Sequence, residues 1–200
     1  MQLIVATRNA HKTREIEQIF GSGLAVRDLT AHPEISEITE SGTSFEENAK
    51  LKAIAVSKKM PGLVIADDSG LEVEALGGAP GIQSARYAGV NASDKEKIAK
   101  LLRQLAKVDA KGDQRRARFC CVLAVAREGQ VLATFEGVVG GKIAGRPCGS
   151  HGFGYDPIFI PDGFEETFAE LPEEVKNNIS HRANAIRKLQ ATLPTLCADV

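Results

Sequence analysis

Leu63-Val64-Ile65-Ala66 is an unbroken apolar run, and Asp67-Asp68-Ser69-Gly70 follows it directly. Such a run reads as a buried strand, started by the helix-stopping Pro61-Gly62 and delivering two carboxylates to its carboxyl end. Two adjacent acids at the end of an apolar strand are costly to bury unless a cation or a proton compensates them. Mg²⁺ is the natural compensator, because it takes one or two carboxylates together with phosphates and water. A capping Asp-Asp-Ser-Gly turn is the plainer alternative.

The segments around this strand set the fold class. Leu3 to Ala6 is a short apolar run, and Thr13 to Phe20 places Ile16, Ile19 and Phe20 on one helical stripe. Ser44 and Glu47 have capping-box spacing ahead of a helix from about Phe45 to Lys59, and Ser93 and Glu96 repeat it ahead of Ile98, Leu101, Leu102 and Leu105. Phe119 to Ala126 and Val131 to Val139 read as a long hairpin, Ile158 to Ile160 as a last short strand. Pro172 to Leu193 reads as helix, interrupted near Asn177-Asn178, with Ser180 capping its second half. Strand-helix alternation in front and a hairpin behind predict an α/β fold on a mixed sheet.

Composition narrows the function. The 200 residues fit one sizeable core, and 26 acidic against 25 basic residues leave no field to grip nucleic acid or a membrane surface. Phosphate recognition must be local. No run is long enough to span a bilayer and no leader pattern is present, so a cytoplasmic location is expected. Cys120, Cys121, Cys148 and Cys197 lack Cys-x-x-Cys spacing and read as free thiols.

Three stretches carry candidate chemistry. Thr7-Arg8-Asn9-Ala10-His11-Lys12 lies where a strand hands over to a helix, so backbone N–H groups, the helix dipole and Lys12 favour an anion. Glu40 precedes Ser41-Gly42 as a second metal carboxylate, and Lys52 suits either a phosphate or its surface neighbour Asn48. Gly152-Phe153-Gly154-Tyr155-Asp156-Pro157 alternates glycine with aromatics, which lets flat rings approach a planar base, although Tyr155 equally suits a hydrophobic anchor. Lys176, His181 and Arg182 add donors for a base carbonyl or a phosphate.

Taken in order, Thr7-x-Asn9-x-x-Lys12, Glu40-Ser41-Gly42-Thr43-Ser44-Phe45-x-Glu47-Asn48-Ala49, Asp67-Asp68-Ser69-Gly70-Leu71, Gly77-Gly78-Ala79-Pro80-Gly81, Gly152 to Pro157 and Ser180-His181-Arg182 resemble the inosine triphosphate pyrophosphatase family over nearly the whole chain. The resemblance implies a single domain over residues 1–200, with an elongated, curved mixed sheet, flanking helices and two lobes enclosing a cleft. It also implies a homodimer that hydrolyses dITP, ITP or XTP to the monophosphate and pyrophosphate with Mg²⁺. By the same resemblance Glu40 and Asp68 are metal carboxylates and Asp68 the general base. Thr7 to Lys12, Lys52, Ser69, Phe153, Gly154, Tyr155, Asp156, Lys176, His181 and Arg182 contact the substrate. Donors from the Phe153 to Asp156 backbone and from His181-Arg182 are expected to read a 6-oxopurine. A Maf-like pyrophosphatase of different base choice and a non-catalytic nucleotide sensor are the alternatives.

Overall fold

The structure, a computed structural model, describes residues 2–198. Six strands form one sheet in the order β2-β1-β3-β4-β5-β6. β1 (Gln2–Val5) lies between β2 (Ala25–Arg27) and β3 (Leu63–Val73) and is parallel to both. β4 (Arg116–Arg127) and β5 (Gln130–Ile143) follow, and β5 pairs antiparallel with β6 (Phe159–Pro161). The sheet is therefore mixed, as the alternation of segments predicts.

Local chemistry explains where the elements begin and turn. α1 (Ala10–Phe20) starts earlier than the periodicity implies, because the Asn9 side chain accepts from the N–H groups of His11 and Lys12. Ala10, His11 and Lys12 are thus the first turn of a helix rather than loop. Ser44 caps α2 (Phe45–Ser57) by accepting the Glu47 N–H, but the Glu47 carboxylate turns to the backbone and hydroxyl of Thr43. Ser93 and Glu96 make the full reciprocal box at α3 (Asp94–Lys107). Between β4 and β5 the two turn residues both have positive φ, Glu128 at 51° and Gly129 at 80°, which gives a two-residue connection whose twist matches the hairpin.

Two expectations change. β3 does not stop at Ala66: it continues to Val73, so Asp67 and Asp68 sit inside a strand. The C-terminal break falls at Ser180, between α4 (Glu173–Ile179) and α5 (His181–Ala198), rather than at Asn177-Asn178. Ser180 has an extended backbone that ends the first helix and leaves His181 and Arg182 as the first turn of the second.

The chain divides into two compact units, and the division falls within β3, β4 and β5. The first holds the chain up to Asp68, then Cys121–Gly137 and the segment from His181 onward. Its core joins Leu3, Val5, Ile16, Ile65, Leu123 and Ile186. The second holds Ser69–Cys120 and Val138–Ser180. Its core is built on Leu71, Leu101, Leu105 and an aromatic group in which Phe159 lies 4.6 Å from Phe119 and 5.3 Å from Phe168.

In the first unit α5 lies against β5 with no clearance at Gly137, where a Cβ would stand 2.1 Å from the His181 carbonyl oxygen and 2.4 Å from the Ala185 nitrogen. Both are backbone atoms, so only movement of the helix could relieve the clash. Gly137→Ala should destabilise the protein by about 1–3 kcal/mol. Gly145→Ala, where nothing lies within 4 Å, should be neutral within about 0.5 kcal/mol. Denaturant unfolding of the two variants checks the contrast.

Candidate active site

The alternation of a strand sends consecutive side chains to opposite faces, and β3 uses this to give Asp67 and Asp68 different partners. Asp68 is mostly buried, and its Oδ1 accepts from Lys52 Nζ at 2.8 Å. Glu40 Oε1 accepts from the same ammonium at 2.7 Å. Two carboxylates from separate segments thus converge on one cation. The Glu40 turn is fixed by Asn48, whose Oδ1 accepts the Gly42 N–H at 2.9 Å and lies one helical turn before Lys52. Gly42 is required there, since a Cβ would come within 2.7 Å of both Asn48 Oδ1 and Glu47 Cβ.

Burial pushes the Asp68 carboxyl above its ordinary value; Lys52 opposes this and Glu40 adds to it. Burial acts the other way on Lys52, yet its two carboxylates outweigh it and keep the ammonium charged. An all-oxygen pair that already gathers around one positive atom suits a hard divalent cation completed by phosphate oxygens and water. Among the described residues no group of three or more acidic, His or Cys side chains forms a self-sufficient metal cage. Glu40 and Asp68 therefore fit Mg²⁺ shared with a substrate.

Asp67 faces a second set of cations. Its carboxylate accepts from Lys12 Nζ and from Arg182 Nε, the latter at 2.8 Å, and the Cys121 thiol lies 3.2 Å from Oδ2. Arg182 also binds Glu15 through Nη1. With only 1% of Arg182 exposed, the guanidinium is part of the interior. Burial opposes charge on Asp67, but Arg182 and Lys12 override it and hold the carboxyl well below the usual range. The Cys121 thiol is pushed far up by burial and by the Asp67 charge, so it is no nucleophile.

The first loop is anchored as well as polar. The Asn9 N–H donates to Thr7 Oγ1 at 3.1 Å, and Arg8 reaches the His32 carbonyl at 2.9 Å and the Ile35 carbonyl. Arg8 therefore ties down the following segment. His11 is exposed and His181 buried.

In the second unit Ser69 is half-buried on β3, and the glycine-aromatic loop is organised from within. Asp156 Oδ2 accepts the Phe153 N–H at 2.8 Å and also pairs with Lys176 Nζ. Asp94, at the start of α3, accepts the Gly154 N–H at 2.7 Å, and the Asp156 N–H donates to the Phe153 carbonyl at 3.2 Å. Backbone donors expected to face a base are thus used inside the unit at Phe153, Gly154 and Asp156. Tyr155 is buried with its hydroxyl donating to the Ser84 carbonyl at 3.0 Å, the anchoring role rather than a stacking surface. Phe153 keeps a half-buried ring 5.0 Å from Lys176 Nζ.

The first unit thus gathers Lys12, Glu40, Lys52, Asp68 and Arg182, while Ser69, Phe153 to Asp156 and Lys176 belong to the second. By sequence Asp67 reads with Asp68 as an acidic pair for a cation, which does not foresee its pairing with Lys12 and Arg182; Glu15, Cys121 and Asp94 do not read as site partners at all. Strand alternation alone could have separated Asp67 from Asp68; nothing local marks the other three.

The chain resembles known proteins in sequence and in fold over nearly its whole length. A profile of the Ham1 family matches residues 3–192. The chain is 50% identical over 200 residues to the dITP/XTP pyrophosphatase of Listeria monocytogenes serotype 4b (strain F2365), covering 100% of this chain and 98% of that one. The Ham1 protein structure from Staphylococcus aureus superposes with a TM-score of 0.84 at 43% identity, covering 98% of this chain and 99% of that one. The HAM1 protein from Coxiella burnetii gives a TM-score of 0.86 at 38% identity over the same shares. With the fold, the ordered motifs and the full-length likeness in agreement, the chain belongs to the Ham1 family.

Proposed function

We propose that this chain hydrolyses non-standard purine nucleoside triphosphates, dITP, ITP and XTP, to the nucleoside monophosphate and pyrophosphate. The observation that carries the reading is the convergence of Glu40 and Asp68 on the Lys52 ammonium. It is supported by the relative named dITP/XTP pyrophosphatase at 50% identity. Mg²⁺ held by Glu40 and Asp68 would neutralise phosphate charge and lower the pKa of a bound water. Asp68 takes the proton of the water that attacks the α-phosphorus, and the leaving pyrophosphate departs against the charges of Lys12 and Lys52.

The first turn of α1 contributes its dipole to the same anion, although Asn9 already accepts its His11 and Lys12 N–H groups. In the second unit Phe153 offers a ring face and Lys176 a donor for the purine. Homodimeric assembly and a cytoplasmic location belong to the same proposal; no described helix is long and apolar enough to cross a membrane.

Incubation with Mg²⁺ and a panel of nucleoside triphosphates tests the reading. Monophosphate plus pyrophosphate should form from ITP, dITP and XTP with kcat/KM roughly a hundredfold above that for ATP. Comparable values for ITP, ATP and GTP would favour a Maf-like specificity, and binding without turnover would indicate a sensor. Excess EDTA should abolish product formation.

Asp68→Asn should lower kcat more than tenfold, a barrier increase above about 1.4 kcal/mol, with an unchanged circular dichroism spectrum. A variant retaining most of the wild-type rate would remove Asp68 from the chemistry.

The pH–rate profile follows from the direction of the Asp68 shift. Only the carboxylate accepts a proton; burial raises the pH at which it forms and a Mg²⁺ ion on it would oppose that, while the attacking water must also lose a proton, so kcat/KM should rise with pH toward neutrality. Lys52 is held charged above its usual range, so it imposes no decline near neutral pH. An optimum near pH 5 would contradict this assignment.

A further inference from the structure

We propose that Asp67 is a positioning residue that sets the Lys12 ammonium in place for a polyphosphate, with the buried Arg182 guanidinium holding the Asp67 carboxylate from behind. This deepens the proposed function and rests on that reading. Asp67 is fully enclosed as a side chain, so it can touch substrate only through the groups it holds. Its carboxylate pairs with Lys12 from the first turn of α1 and with Arg182 from the first turn of α5. Its backbone carbonyl accepts from Lys52 Nζ at 2.9 Å and lies 3.4 Å from Lys12 Nζ. One residue inside β3 therefore fixes cations from three helices.

Its chemistry suits that task. A long lysine side chain has many rotamers, and holding it before substrate arrives removes an ordering cost from binding. Asp67 restrains Lys12 on one side, leaving the other donors of the ammonium for an anion. Glu15 shares Arg182, so the two cations on Asp67 are matched by two carboxylates. Asp68 performs proton transfer on the opposite face of the strand, which separates charge placement from chemistry between neighbouring residues.

Asp67→Glu preserves the charge and lengthens the side chain by one methylene, displacing both partners. A misplacement of about 1 Å can cost on the order of a hundredfold, so kcat/KM for ITP should fall by at least about tenfold. The affinity for inorganic pyrophosphate, read by calorimetry, should fall with it while the thermal midpoint stays within a few degrees of wild type. A Glu variant with native kcat/KM and native pyrophosphate affinity would overturn the proposal.

A double-mutant cycle supplies the second reading. Asp67→Asn should cost less than about twofold in kcat/KM when placed on Lys12→Ala, because its effect through Lys12 is already lost. A full multiplicative loss in that background would assign Asp67 a merely structural role. Should Asp67→Asn fail to fold, Asp67→Glu decides alone. If wild-type protein releases no pyrophosphate from any triphosphate, the functional reading fails, while pyrophosphate calorimetry on the Asp67 variants still tests the positioning role.

Discussion

The buried ionic network around Asp67 is the constraint on which the first unit depends. A carboxylate inside a strand, with only 2% of the residue exposed, is tolerable because Arg182 and Lys12 reach it from two helices. Removing one partner of such a network strands the other charge in the interior, at a cost of about 3–5 kcal/mol. The positions of α1, β3 and α5 are therefore coupled: both helices must begin where their cations meet the strand. Gly137 makes the same demand from the other side of α5, since the helix backbone rests directly on β5.

Beside this network stands a second one. Glu40 and Asp68 both pair with the Lys52 ammonium, and burial raises the Asp68 carboxyl despite the charges of Lys52 and Lys12. The two faces of one strand thus hold carboxylates in different electrostatic settings. Asp67 is held permanently ionised by its partners, whereas Asp68 keeps the capacity to exchange a proton.

The second unit uses backbone geometry where the first uses ion pairs. Gly152, at φ 71°, and Gly154, at φ 63°, occupy left-handed conformations that side chains disfavour, and they turn the loop so that Asp94 and Asp156 take up its N–H groups. The loop is thereby ordered in advance, with Tyr155 as its buried anchor and Lys176 clamped on Asp156. The N–H groups of Phe153, Gly154 and Asp156 are thereby committed inside the unit.

The sequence by itself determined the elements whose signals are local: the capped starts of α2 and α3, the tight β4–β5 hairpin, the apolar first half of β3 and the ordered motifs that mark the family. These were legible because capping, turn chemistry and hydrophobic period act within a few residues. It also singled out Glu40, Lys52 and Asp68, through motif resemblance, and the structure brings these three side chains into contact. Only the tertiary structure decided that β3 runs on through the acidic pair. Local polarity reads as a strand end, but cations from α1, α2 and α5 supply the compensation that lets the strand continue. It likewise decided that Arg182 is interior, that Tyr155 anchors and that Glu15, Asp94 and Cys121 join the sites. Glu15 and Arg182 are separated by 167 positions, and no local pattern encodes a contact that exists only once the sheet has brought distant segments together.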